Sequence, residues 1–465
     1  MRDAVSALAA VLLATACNGA PPGPRCQASP SALSSDAQAR TLASSPARCG
    51  MAPYAWLDDP TLGNVAFTGD HVSYSPSGLA VLFAITQYTP PAPLHAVDLD
   101  VVGYTTQDRG KLITATAAVA YPTDYDQTTA LPVLLFLHGT SGFTDLCAPS
   151  AQTDERTLIA SLAGLGYVVV APDYIGMQNG RPTGFLHPYL VGEATAIASL
   201  DAVRAGARFV AARADVTTCA APRFVTLGGS QGGHAALWVD RLAPYYAPEL
   251  EHDGAVATVP PADLKAEVDR ALTQLVPASA NTAAFFVASS DWYGTTSLLS
   301  QVFIPPLDTQ LHDEFATTCS PGKSVQNATS LDQVFQTSLL SQVQSGGIAS
   351  VSPWGCTVVE NGLLTTSTPR PASSAYVPSY GILYVLGEAD TLVSTPIEQV
   401  SFDTLCQRGM PLEYLECAGA SHTATTAWAL PEILDFLSDR VAKKPLLPSA
   451  VCNRGAAVTC RGTPP

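Results

Sequence analysis

The chain runs to 465 residues, 47% of them hydrophobic and only 13% charged, with 39 acidic side chains against 23 basic ones and a net charge of −16. Such a composition supplies a sizeable core and excludes a largely disordered chain, while the length suits one large α/β domain with insertions or two to three average domains. The acidic balance repels phosphates and anionic membrane surfaces, so nucleic acid is set aside as a partner.

Taken from the start, Arg2 followed by the mainly apolar stretch Ala4–Ala16 reads as a signal peptide over residues 1–16. The stretch is too short to span a bilayer comfortably. It closes on Ala14-Thr15-Ala16-Cys17, which resembles a bacterial lipobox with its Leu one place early, at Leu13. Cys17 is therefore the candidate lipidation site and a possible membrane tether; ordinary cleavage near Ala16 or Ala20 is the alternative. Either way the expectation is an exported protein, secreted or lipid-anchored at the bacterial cell envelope. Residues 17–50, rich in Pro, Ser, Ala and Gly, read as an exposed linker.

Beyond the linker, Val97–Thr105 and Leu112–Tyr121 alternate across Gln107-Asp108-Arg109-Gly110, which predicts an antiparallel hairpin. Short apolar runs follow at Val133–Leu137, Tyr167–Ala171, Phe224–Leu227, Ala255–Val259, Ile382–Leu386 and Leu412–Leu415. Runs of this kind suit parallel strands covered on both faces. In the helical segment Ala194–Phe209, Ile197, Leu200 and Val203 recur at spacing three, and Asp201 and Arg204 are expected to face outwards together. Strands alternating with helices predict an α/β fold, a mostly parallel central sheet flanked by helices. The long gap between the fourth and fifth runs predicts an inserted helical cap over 262–378. That divides the core into 51–261 and 379–441, and leaves 442–465 as a cysteine-bearing tail.

Setting Cys17 aside, the 11 cysteines leave an even number, as disulfides in an oxidising compartment require. No CxxC pair or tight Cys/His cluster suggests a metal, and no cofactor is expected. Short loops suggest the pairs Cys26–Cys49, Cys406–Cys417 and Cys452–Cys460.

Chemistry concentrates at Gly228-Gly229-Ser230-Gln231-Gly232-Gly233, a G-x-S-x-G pattern with a strand before it and a helical segment, His234–Leu242, after it. A nucleophilic serine needs such a strained strand-to-helix turn, and glycines beside it avoid clashes. Read blandly, the same residues form a glycine-rich turn whose serine caps a helix. An earlier strand closes on His138-Gly139-Thr140-Ser141-Gly142. Acyl transfer needs two N–H groups aimed at the developing oxyanion. Gln231 supplies one candidate and Thr140 the other, with Ser141 next; His138 reads as a packed residue shaping the loop. A simple strand-end turn is the competing reading.

The chain order of a hydrolase triad, serine then acid then histidine, leaves His234, His252, His312 and His422 after Ser230. His234 lies one helical turn on, with no room for an intervening acid; His252 and His312 precede the late strands. His422, in Ala418-Gly419-Ala420-Ser421-His422, follows one. The acid then comes from Gly387-Glu388-Ala389-Asp390-Thr391, where Asp390 is preferred because a carboxylate needs a few loop residues to turn, and Glu388 is the alternative. Loop capping is the bland role for such an Asp.

These stretches, with Cys147-Ala148-Pro149-Ser150, Gly166–Gly176, His187-Pro188-Tyr189-Leu190 and Gly228–Trp238, resemble the secretory lipase family, α/β hydrolases related to fungal lipase A. The likeness spans roughly residues 95 to 440. It implies an α/β-hydrolase fold with a helical cap, and a lipase or carboxylesterase acting on a small-molecule or lipid ester. Triad roles carry over to Ser230, Asp390 and His422. The fungal branch has an Asp in the oxyanion loop where this chain reads His138-Gly139-Thr140. Phe285, Phe286, Trp292, Tyr293 and Phe303 suit an acyl pocket, although core packing is the commoner use of such residues. A scaffold that only binds ligand, or a serine peptidase, would share much of the pattern.

Overall fold

The computed structural model describes residues 44–45, 48–125, 130–213, 216–320 and 323–464. The expected signal peptide, Cys17, Cys26 and most of the 17–50 linker lie outside the described residues. The end of that linker is more structured than expected. β1 (Ser44–Ser45) pairs with β2 (Tyr54–Ala55), and Cys49 is bonded to Cys356.

One sheet of nine strands organises the rest. β3 (Val65–Tyr74), β4 (Val97–Asp108) and β5 (Lys111–Pro122) form an antiparallel margin. β6 (Leu131–Leu137), β7 (Val168–Pro172), β8 (Ala220–Gly229), β9 (Glu251–Thr258), β10 (Ile382–Gly387) and β11 (Leu412–Cys417) run parallel, in the spatial order β11-β10-β9-β8-β6-β7-β5-β4-β3. The expected hairpin is β4–β5, but its ladder extends to Asp108↔Lys111. The turn shrinks to Arg109 and Gly110, at φ 47° and 70°, the two positive values a tight hairpin of this hand requires. β3 has no counterpart in the sequence reading. It is an irregular edge strand whose residues are mostly exposed, so no buried face imposes an alternating pattern.

Helices cover both faces. α1 (Pro76–Ile85), α2 (Thr153–Ala163) and α13 (Leu430–Val441) pack with Leu134, Val169, Val225 and Val256 on one side. On the other, α3 (Gly192–Ala212), α4 (Gln231–Tyr246) and α11 (Thr395–Gln407) meet Val133, Leu135, Val168, Val170 and Phe224. Neighbours in sequence thus alternate between two buried faces, which is why these strands read as unbroken apolar runs. Each fully buried Val or Leu contributes roughly 1.5–3 kcal/mol. Asp201 and Arg204 do share a face of α3, but inwards. Asp201 is fully buried and accepts from Thr106 Oγ1 (2.7 Å), Tyr246 OH (2.8 Å) and Arg204 (2.7 Å). Spacing alone shows that two residues share a face, not which way it turns.

Between β9 and β10 the described residues add no strand to this sheet. They form α5 (Leu264–Thr273), α6 (Ala278–Tyr293), α7 (Leu307–Thr317), α8 (Lys323–Gln326), α9 (Thr337–Gly346) and α10 (Trp354–Asn361), around their own apolar cluster. After β10 the chain continues through α11, β11, α12 (His422–Trp428) and α13.

The disulfides differ from the short-loop pairs. They are Cys49–Cys356, Cys147–Cys319, Cys406–Cys452 and Cys417–Cys460; Cys219 is disulfide-bonded as well. Cys406 lies in the last turn of α11 and Cys417 ends β11, so a full strand at roughly 3.3 Å per residue separates them. The tail instead runs alongside β11, from Val451 opposite Glu413 to Val458 opposite Cys417, and brings one cysteine to each.

Glu398 of α11 is fully buried and accepts from Tyr384 OH of β10 at 2.6 Å. Burial, and then the nearby charge of Glu267, push its pKa up from 4.5 to about 8. The unfolded chain therefore releases this proton first, and the contribution of Glu398 to stability falls as pH rises from about 5 to about 8. Glu398→Gln should remove one proton's share of that slope, about 1.4 kcal/mol per pH unit. Urea unfolding of both proteins at several pH values checks it; parallel slopes would count against the assignment.

Candidate active site

β8 ends at Gly229, and α4 begins at Gln231, so Ser230 alone makes the turn between them, at φ 57° and ψ −118°. That is strained for a residue with a side chain, typically by 1–3 kcal/mol. The turn is held by Ser230 N–H donating to Thr258 O (2.9 Å) and His234 N–H to Ser230 O (3.0 Å). Its glycines are required by space. A Cβ on Gly232 would lie 1.9 Å from Leu137 O, and one on Gly228 would lie 2.0 Å from Gly232 O.

His422 opens α12, directly after β11, and its Nε2 lies 2.9 Å from Ser230 Oγ. Its Nδ1 lies 2.7 Å from Asp390 Oδ2. The other oxygen, Asp390 Oδ1, accepts the N–H groups of Leu392 (2.9 Å) and Val393 (3.1 Å). A carboxylate only accepts, so Nδ1 carries the proton and Nε2 is left to accept from the serine hydroxyl. Residues 192 and 32 positions apart in sequence thus form one hydrogen-bonded line. Glu388 is elsewhere, its Oε2 accepting Gly419 N–H at 2.8 Å.

The loop after β6 abuts Ser230, since a Cβ on Gly139 would fall 3.9 Å from Ser230 Cβ. The backbone N–H groups of Gln231 and Thr140 have no acceptor among the described residues. Gln231 also stands at the positive end of α4. Thr140 Oγ1 is hydrogen-bonded to Tyr189 OH (2.9 Å), which also accepts from Asn281 Nδ2 of α6 (3.1 Å). Ser141 Oγ turns away to Met177 Sδ, at 3.9 Å.

Behind these donors lies a stack that the sequence does not reveal. The His138 ring packs on Tyr174 at 4.1 Å between centroids, and Tyr174 on His187 at 5.4 Å. Tyr174 OH donates to His138 O (3.1 Å), while His187 joins Ile175 O through Nδ1 (2.9 Å) and Gln231 Nε2 through Nε2 (2.7 Å). Burial lowers the pKa of His138 to about 4 and of His187 to about 3, so both are neutral at physiological pH. His187 thereby anchors the side chain of Gln231, the residue directly after Ser230. Only its place in the family-like motif, not any spacing rule, singles it out.

Ser230 opens into a cleft of about 450 Å³, partly open to solvent, with Leu190, Leu264, Val268, Phe285 and Val393 among its walls. Of the aromatic residues considered for an acyl pocket, Phe285 lines this cleft. Phe286, Trp292, Tyr293 and Phe303 are buried and do not line it.

The sequence model of the secretory lipase family matches residues 144–288, a stretch that includes the strand, turn and helix around Ser230. Lipase 10 of Candida albicans is 24% identical over 63% of this chain, and that match spans 59% of its own length. A secreted triacylglycerol lipase of Malassezia globosa is 24% identical over 71% of this chain and 68% of its own. Among solved structures, the rice cell wall degrading esterase LipA from Xanthomonas oryzae superposes with a TM-score of 0.65 at 21% identity, covering 82% of this chain and 98% of that one. Candida antarctica lipase A in its closed state gives 0.62 at 17% identity, covering 88% and 91%. The α/β-hydrolase fold and the resemblance to secretory lipases are thereby borne out.

Proposed function

We propose that this chain, which carries the secretory lipase pattern on an α/β-hydrolase fold, is a serine carboxylic-ester hydrolase. The observation that carries the reading is the line from Ser230 Oγ through His422 to Asp390, at 2.9 and 2.7 Å. His422 Nε2 takes the Ser230 proton as Oγ attacks the ester carbonyl carbon, and Asp390 holds the tautomer and stabilises the imidazolium. The oxyanion is met by the N–H groups of Gln231 and Thr140. Collapse expels the alcohol, which leaves with the proton from His422. Water, deprotonated by His422, then attacks the acyl-enzyme, and the acid is released as Ser230 regains its hydrogen.

The helical insertion over 262–378 acts as a cap, its α5 and α6 forming one wall of the cleft with Leu264 and Phe285. The small-molecule or lipid ester substrate sits between that wall and the nucleophile. Export is supported by the disulfides and by the family's secretory description. The apolar stretch before Cys17 supports a lipid tether at that residue.

Purified protein should hydrolyse p-nitrophenyl esters across an acyl-length series and leave aminoacyl amides nearly untouched. A fluorophosphonate should label it at Ser230. Protein that neither turns over any ester nor takes the label is a binding scaffold, and preference for the amides would make it a peptidase.

A further inference from the structure

The loop that bears Asp390 is fixed from an unexpected side. Arg270, on α5, donates from Nη2 to Leu392 O (2.6 Å) and from Nη1 to Thr391 O (3.4 Å). Glu267, one turn earlier, accepts Ser394 N–H at 2.7 Å. The two side chains also bind each other, with Arg270 Nη2 and Nε at 2.8 and 3.1 Å from Glu267 Oε2, and both are mostly buried, at 18% and 7% exposure.

The register matters more than the count. Each peptide unit is rigid and planar, with C=O and N–H pointing in opposite directions. The Thr391 carbonyl shares its plane with the Leu392 N–H, and the Leu392 carbonyl shares its plane with the Val393 N–H. Those two N–H groups hold Asp390 Oδ1. Arg270 therefore grips the far ends of the two peptide units that orient the carboxylate. Glu267 takes the N–H of the next unit, between Val393 and Ser394. A guanidinium on the carbonyl side polarises each peptide, which strengthens the N–H on the Asp390 side. Burial first, and the nearby charge of Asp390 among lesser causes, disfavours the ionised form of Glu267, which Arg270 opposes.

We propose that Glu267 and Arg270, on the first helix of the insertion, are positioning residues that set the orientation of Asp390. The inference rests on the triad reading above. It makes α5 a fixed support of the acid loop as well as a wall of the cleft.

Arg270 does not line the cleft, so its replacement separates positioning from substrate contact. Arg270→Met keeps the stem and removes every donor. It should lower kcat on a soluble ester about 10–100-fold with KM nearly unchanged, as expected when a reacting group is misplaced by a fraction of an ångström to an ångström. The same substitution in an Asp390→Ala background should cost less than about 2-fold, because no carboxylate remains to be oriented. Arg270→Lys should recover part of the loss. An equal fold-loss in both backgrounds would reduce the pair to a structural tie and overturn the proposal, as would wild-type turnover in Arg270→Met. Should Arg270→Met fail to fold, Glu267→Ala carries the same cycle read on kcat alone, because Glu267 itself lines the cleft and its KM also reports substrate contact. An Asp390→Ala protein with undiminished turnover would instead remove the triad reading itself.

Discussion

Ser230→Ala should lower kcat for a soluble ester by about 10⁶-fold, the scale of loss when a triad nucleophile is deleted. Only Oγ disappears. The backbone keeps φ 57°, a value as strained for Ala as for Ser, and the two hydrogen bonds that hold the turn come from the main chain. The thermal midpoint should therefore stay close to wild type. A residual rate above buffer is expected, because the N–H groups of Gln231 and Thr140 and the cleft remain. Fluorophosphonate labelling of the variant should vanish with the turnover. Retention of even a tenth of wild-type kcat would place the nucleophile elsewhere.

Much of this site is legible in the sequence because its constraints are local. Gly228, Gly232 and Ser230 are dictated by a turn whose packing distances admit nothing larger at the glycines, so a short local pattern between a strand and a helix marks them. Asp390 and His422 follow the ends of β10 and β11, and parallel strands deliver such loops to one end of a sheet. What stays hidden is whatever depends on tertiary direction. Asp201 and Arg204 have the spacing of a solvated pair but face the core. Glu267 and Arg270 look like an ordinary i,i+3 ion pair until α5 is seen against the acid loop. The bridges of Cys452 and Cys460 follow the path of the tail along β11 rather than loop length.

Those peptide units also determine what an amide would do at position 390. In Asp390→Asn the side chain must present its carbonyl oxygen to the N–H groups of Leu392 and Val393, since an NH₂ there would face two donors. The amide NH₂ is then aimed at His422 Nδ1, where Asp390 Oδ2 now sits at 2.7 Å. Nδ1 must become the acceptor, so the proton moves to Nε2, the nitrogen that needs to be empty to receive the hydrogen of Ser230. The expected loss in kcat is about 10⁴-fold, with the fold intact. Asp390→Ala forces neither tautomer and should retain more activity than Asp390→Asn, although it removes more atoms. Measuring kcat for both on one soluble ester tests the argument. If the asparagine protein is the more active of the two, the tautomer is not what Asp390 controls.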